Sequence, residues 1–171
     1  MKTKQLLSVA VIAAFFAVAF LGGCAKDDTP KSIFMMGLWW DKENSADCVT
    51  FDEANALAAK AGKRLPTKAE FQQLCQLPQR WDYELKGKWF AERKEDLGNP
   101  EKALFLPALG MYNPTGEFFY HEVNHGYLGY YWSSTQDKNG YVYNLSFLST
   151  GSYPNDGYSK KYGFSVRCVA K

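Results

Sequence analysis

Tyr130-Tyr131-Trp132-Ser133-Ser134-Thr135 and Tyr141-Val142-Tyr143-Asn144-Leu145-Ser146-Phe147 are joined by Gln136-Asp137-Lys138-Asn139-Gly140, and on this stretch the fold turns. Both flanks are rich in aromatic and β-branched residues, which fit a pleated, half-buried surface. Asn139-Gly140 between them is a strong hairpin signal, because both residues tolerate positive φ. The period of two puts Tyr143, Leu145 and Phe147 on one face of the second strand. Val142, Asn144 and Ser146 fall on the other face, which is expected to lie open to a partner.

Working outward, residues 149–161 read as a loop, and residues 164–169 alternate apolar and polar as a closing strand. Upstream, residues 104–107 form a short apolar piece and residues 112–117 are turn-rich. Residues 81–100 are charged and irregular and read as a long loop. Thr50-Phe51-Asp52-Glu53 and Thr67-Lys68-Ala69-Glu70 are two capping boxes. Behind them Phe51, Ala54, Leu57, Ala58 and Ala61, then Phe71, Leu74 and Cys75, recur at helical spacing. Gly62 and Pro78 end these two short helices. Residues 33–40 are apolar and read as a first strand. No internal repeat is visible.

The amino end has a different logic. Lys2 and Lys4 precede an apolar run over residues 6–20, then Leu21-Gly22-Gly23-Cys24. A charged start, a short apolar run and small residues before a cut site describe a secretory signal rather than a membrane span. The ending resembles the lipobox of bacterial lipoproteins. That resemblance implies removal of residues 1–23, acylation of Cys24, a polar tether over residues 24–32 and one domain over residues 33–171. More than one acyl chain gives stable anchoring. Ala25 lacks the Asp of inner-membrane retention, and Lys26-Asp27-Asp28 resembles the export signal of surface lipoproteins in the Bacteroidota. The expected location is therefore the outer membrane, with exposure at the cell surface.

The chain has 20 Lys and Arg against 18 Asp and Glu, and removing Lys2 and Lys4 leaves 18 of each sign. A mature chain of zero formal charge offers no electrostatic footprint for nucleic acid. Aromatics make up 16% of the residues, which suits a sheet-rich domain.

Arg64-Leu65-Pro66-Thr67 with Glu70-Phe71, then Leu104 to Gly110, then Gly129-Tyr130-Tyr131-Trp132-Ser133-Ser134-Thr135, and Gly163-Phe164-Ser165-Val166-Arg167-Cys168-Val169 form an ordered set. Together they resemble the Fibrobacter succinogenes major paralogous domain and the variable proteins of diversity-generating retroelements. The likeness runs from about Trp39 to the C-terminus. It implies an α+β, C-type-lectin-like fold: two short helices flanking a small, twisted, mostly antiparallel sheet, with the termini close together. Lectin-like folds often tie the region before the first helix to the last strand, which implies a Cys48–Cys168 disulfide, with three reduced thiols as the alternative. Such variable proteins bind through the sheet face and loops near the C-terminal end. Here that implies a ligand site at Asn144, Ser146, Tyr153, Asn155, Asp156 and Tyr158. Residues 136–161 hold four Tyr, three Asn, four Ser, three Gly and two Asp, a mix that antibody loops also use. Trp132 is left to the core.

Three function classes stand at this point. The first is a lipoprotein whose domain binds a protein or glycan, with no cofactor and no enzymatic activity. The second is an enzyme. The stretch from Val49 to Thr67 also resembles the formylglycine-generating enzymes, yet their C-terminal redox cysteine pair is missing, since Cys168 stands alone there. His121-Glu122-Val123-Asn124-His125 matches the H-E-x-x-H zinc pattern, whose chemistry needs both His on one helical face. Its aromatic and glycine flanks disfavour a helix, and no Glu follows residue 122 as a further ligand. No metal site is expected. The third class is a purely structural envelope protein.

Overall fold

The computed structural model describes residues 31–119 and 126–170. Among them the chain forms thirteen strands and two α-helices.

The first apolar stretch is two strands, not one. β1 (Ser32–Met35) and β2 (Leu38–Asp41) pair antiparallel across Met36 and Gly37, whose φ values are +56° and +75°. Two consecutive left-handed residues make the hairpin turn whose twist matches the strands. The unbroken apolar sequence conceals this turn, and Gly37 is its one local signal.

After β3 (Ala46–Val49) come the two helices expected from the capping boxes, α1 (Phe51–Lys60) and α2 (Lys68–Leu74). The Thr50 backbone N–H and hydroxyl both donate to the Glu53 carboxylate, at 2.9 and 2.6 Å. At α2 the exchange is reciprocal: Thr67 N–H donates to Glu70, and Glu70 N–H donates to the Thr67 hydroxyl. Arg64 clamps the same carboxylate with two bonds of 2.8 and 2.6 Å.

Residues 81–100 are not a long loop. β4 (Gln79–Asp82) and β5 (Gly87–Ala91) form a hairpin, and β6 (Ala103–Pro107) completes a three-stranded sheet after a 3-10 turn at Lys94–Asp96. β5 is buried throughout, including Lys88, whose Nζ donates to the Gly151 carbonyl at 2.9 Å. A lysine in a buried strand defeats a reading based on polarity.

β7 (Met111–Tyr112) and β8 (Phe118–Phe119) form a small ribbon. Next come β9 (Gly129–Gln136) and β10 (Val142–Leu148), joined by the Asn-Gly turn as expected. Gly140 has φ +83°, and Asp137 Oδ1 accepts from the Asn139 and Tyr141 N–H groups. The stretch read as a loop holds β11 (Gly151–Tyr158), paired antiparallel with β10. The closing strand divides into β12 (Phe164–Val166) and β13 (Val169–Ala170), which enter different sheets. The largest sheet has the order β11-β10-β9-β12-β3, with β12 parallel to β9 and its other neighbours antiparallel. β13 pairs with β2, so both ends of the described domain share the β1-β2-β13 sheet.

The expected α+β, lectin-like architecture is corrected. The chain is mostly β, 44% strand against 15% helix, distributed over four sheets rather than one small one. The expectation failed because β4 and β11 are polar in sequence and β5 carries a lysine, and all three acquire strand geometry by pairing. Both faces of the largest sheet are buried. Tyr131, Leu145 and Phe147 pack with Phe71 and Leu74 of α2 and with Trp40, Phe90 and Leu104. Tyr130, Trp132, Val142 and Phe164 pack with Phe51, Ala54 and Ala58 of α1. No described helix is long and apolar enough to cross a membrane.

Candidate functional site

The residues expected to bind a ligand lie together on β10 and β11. The register sets Asn144 opposite Asn155 and Ser146 opposite Tyr153. Directly opposed residues project to the same side of a sheet. On β9, the partners of Asn144 and Ser146 are Trp132 and Tyr130. The face so formed is not open, which corrects the expectation. Asn144 is 1% exposed and Ser146 7%, because the second aromatic core and α1 cover this side. Tyr158 belongs to that core: its ring meets Tyr130 at 6.1 Å and Tyr162 and Phe164 at 5.1 Å each. Trp132 is fully buried, and its indole N–H donates to the Val49 carbonyl at 2.8 Å. Of the proposed anchors, Tyr153 stands in solvent at 47% exposure. The side chains of Asn155 and Asp156 lie outside the described residues, as do Cys24 and the whole His121–His125 motif. Both polar atoms of the Asn144 amide are buried without a hydrogen-bond partner among the described residues.

The bridge expected between Cys48 and Cys168 is corrected as well. Cys48, Cys75 and Cys168 are free thiols. Cys48 sits at φ +54° and turns its Sγ towards the Leu109 carbonyl at 3.9 Å. Cys168 lies 3.2 Å from the Ser45 hydroxyl instead. Burial pushes the Cys48 and Cys75 thiols up to about 11. The described residues contain no group of three or more His, Cys, Asp or Glu placed to hold a metal ion.

The better-formed site was missed by sequence reading. It begins at the β1–β2 hairpin. Alternation turns Ile33, Met35, Leu38 and Trp40 into the core and leaves Phe34 and Trp39 outside, at 58% and 46% exposure. These two face one another across the hairpin, with ring centroids 5.2 Å apart and planes at 56°. They form one wall of a cleft of about 390 Å³. The facing wall comes from the segment after β5: Glu92, Arg93, Asp96, Glu101 and Lys102. Glu92 is fixed by the Met36 N–H at 2.8 Å, which ties this wall to the hairpin turn. Arg93 Nε donates to Asp96 at 2.7 Å, and Lys102 Nζ stands 3.7 Å from the other oxygen of that carboxylate. The Asp96 carboxylate raises the Arg93 pKa, first through its hydrogen bond and then through its charge. Glu101 accepts from Lys42 at 2.8 Å.

The arrangement combines an exposed aromatic platform with an ionic rim held in place by internal pairs. Such a concave mixture of apolar wall and placed polar groups is the general form of a ligand site. The signals that could have found it were Gly37 in the middle of an apolar run and the placement of Phe34 and Trp39 in alternation against it.

No curated protein matches the chain, and no solved structure matches it. A family profile described as a domain of unknown function (DUF8237) matches residues 84–169, about half of the chain. The matched segment starts in the turn between β4 and β5 and includes the ionic wall of the cleft, while the hairpin that carries Phe34 and Trp39 precedes it. The chain belongs to the DUF8237 family.

Proposed function

We propose that this chain is an envelope ligand-binding protein, held to the outer membrane by acylation at Cys24, and that it binds a protein or glycan in the hairpin cleft. The observation that carries the reading is the exposed Phe34–Trp39 pair forming the wall of that cleft. Leaving both rings in water forgoes roughly 25 cal/mol for each Å² of apolar surface that a ligand would cover. Large exposed apolar groups rimmed by polar ones mark interaction sites. The thiols favour binding over covalent chemistry, since Cys48 and Cys75 stay protonated and weakly nucleophilic at neutral pH.

A second surface is supported by Asn144. A buried, unpartnered amide costs about 1 to 3 kcal/mol for each unsatisfied group. It lies on the same side of the β9–β11 sheet as Tyr153, under the second aromatic core, so an ordered internal water would relieve it while Tyr153 stands open to a ligand.

Immobilised full-length chain, challenged separately with the glycan and the protein fractions of a bacterial envelope, tests the reading. The expected result is retention of one fraction by the wild type and its loss in Phe34→Ala/Trp39→Ala. Loss in Tyr153→Ala alone would move the site to β11. Retention unchanged by all three substitutions would refute both surfaces.

A further inference from the structure

We infer that the hairpin cleft takes a neutral oligosaccharide of pyranose rings with equatorial hydroxyls, one ring lying on Trp39 and its hydroxyls meeting the ionic rim. The inference rests on the reading of that cleft as the ligand site, and it names the ligand class.

Three observations lead there. The first is the shape of the aromatic wall. Phe34 and Trp39 are tilted by 56° and exposed on one side, so they form an angled floor rather than a slot between parallel faces. A planar aromatic ligand gains most from being sandwiched. A pyranose ring with equatorial hydroxyls instead offers one flat face of axial C–H groups. Those weakly positive hydrogens match the negative face of an aromatic ring.

The second observation is charge. The lining carries Glu92, Asp96 and Glu101 against Arg93 and Lys102, a balance of one net negative charge. The charges are already engaged: Asp96 with Arg93, and Glu101 with Lys42. An anionic ligand would meet three carboxylates. A cationic one would have to compete with Arg93 for Asp96. A hydroxyl does neither, because it donates to a carboxylate and accepts from an ammonium at once. The side chains of Glu101 and Lys102 are about half exposed, at 53% and 54%, and so within reach of such bonds.

The third is size. A cleft of about 390 Å³ lies in the range of small-ligand sites, roughly 300 to 1,000 Å³. A stable protein partner needs about 800 Å² of surface on each side. A short glycan makes its contacts within the cleft itself.

The test uses the full-length chain in detergent micelles. The probes are cellotetraose, xylotetraose and chitotetraose, with tetragalacturonate and a chitosan tetramer as anionic and cationic controls. The expected result is that a neutral tetrasaccharide shifts tryptophan fluorescence on titration and the charged ones do not. Trp39→Phe should abolish most of that shift while keeping measurable affinity by calorimetry. Trp39→Ala should weaken binding about tenfold or more. The dissociation constant should change less than about twofold as salt rises from about 50 to 500 mM, because a neutral ligand gains little from screened charges. Binding of a charged tetramer with a steep salt dependence would overturn the assignment. So would silence of the whole panel while Trp39→Ala still abolishes retention of an envelope protein fraction, which would leave the cleft a ligand site for protein. Unchanged retention in Trp39→Ala would instead remove the cleft itself.

Discussion

Arg167 holds Asn44 by two bonds to one oxygen, from Nε at 3.1 Å and from a terminal nitrogen at 2.7 Å. The same guanidinium donates to the Asp41 carbonyl at 2.7 Å and the Phe105 carbonyl at 3.0 Å. Asp41 ends β2 and Phe105 lies in the middle of β6, so one buried side chain pins strands of separate sheets together. Each of these acceptors is an uncharged carbonyl or amide oxygen. Arg167→Leu would take the Arg167 bonds from the Asp41 and Phe105 carbonyls and leave Asn44 Oδ1 the Tyr131 hydroxyl, and it should cost about 2 to 5 kcal/mol in denaturant unfolding. Arg167→Lys should recover little, because a single ammonium cannot span the fork of acceptors.

Glu70 should give the protein an acid-sensitive component. Burial pushes its carboxyl upward, but the Arg64 hydrogen bonds and the Thr67 N–H outweigh that, and its pKa falls below the ordinary 4.5. A carboxyl lowered on folding stabilises above its unfolded pKa, and that contribution is lost as pH falls through the folded value. Wild type should therefore exceed Glu70→Gln in stability at pH 7, and the gap should close as pH falls below 4.5. Chemical denaturation across pH 2 to 7 measures it. A gap of equal size at both ends would show that packing, not charge, sets the difference.

Two glycines distinguish core from surface. A Cβ on Gly129 would meet the Phe147 ring at 2.1 Å, and Phe147 is fully buried. A Cβ on Gly151 would meet the Tyr153 ring, whose oxygen is 2.4 Å away, but Tyr153 stands half in solvent and can swing aside. Gly129→Ala should lose about 2 kcal/mol or more through overpacking. Gly151→Ala should lose well under half of that. Thermal melts of the two variants side by side decide it.

Phe34→Ala and Trp39→Ala should leave the melting temperature within about 2 °C of wild type. Both rings lie on the outer face of the hairpin, at 58% and 46% exposure, and substitutions at exposed sites fall mostly within ±0.5 kcal/mol. Trp40→Ala, one position along, removes a fully buried ring and should cost about 3 to 5 kcal/mol. If Trp39→Ala proves as damaging as Trp40→Ala, the hairpin face is structural and the cleft loses its claim.

Anchoring should depend on the Cys24 sulfur. Wild type should incorporate a labelled fatty acid and Cys24→Ser should not. Equal label in both would sink the lipoprotein reading.

What could be read in advance was local. Thr50 with Glu53, Thr67 with Glu70, and Asn139-Gly140 each act within four residues, and each produced the expected helix start or hairpin. Lys88 and β11 were illegible for the opposite reason. Lys88 is buried because Gly151, far along the chain, supplies its acceptor. Ser152, Tyr153, Pro154, Asn155 and Asp156 have the composition of a turn and become a strand only against β10. The candidate site divides the same way. That Asn144 and Ser146 share one face of β10 was readable from the period of two, but not that β11 pairs beside them or what covers that face. Met36 at positive φ, which turns Phe34 towards Trp39, has no sequence signature at all.

The hairpin also decides how the molecule carries tension. Residues 25–31 are all that separate Cys24 from β1, and Phe34 is a β1 residue. With the anchor at Cys24 and a ligand gripped at Phe34 and Trp39, a pull runs from membrane to ligand through one strand and its neighbour. Where that load runs along the strands, the β1–β2 ladder shares it in shear rather than opening one bond at a time. The five-stranded sheet and the second aromatic core lie off that line. A firmly held ligand could tug on this protein without drawing on the strength of most of its fold.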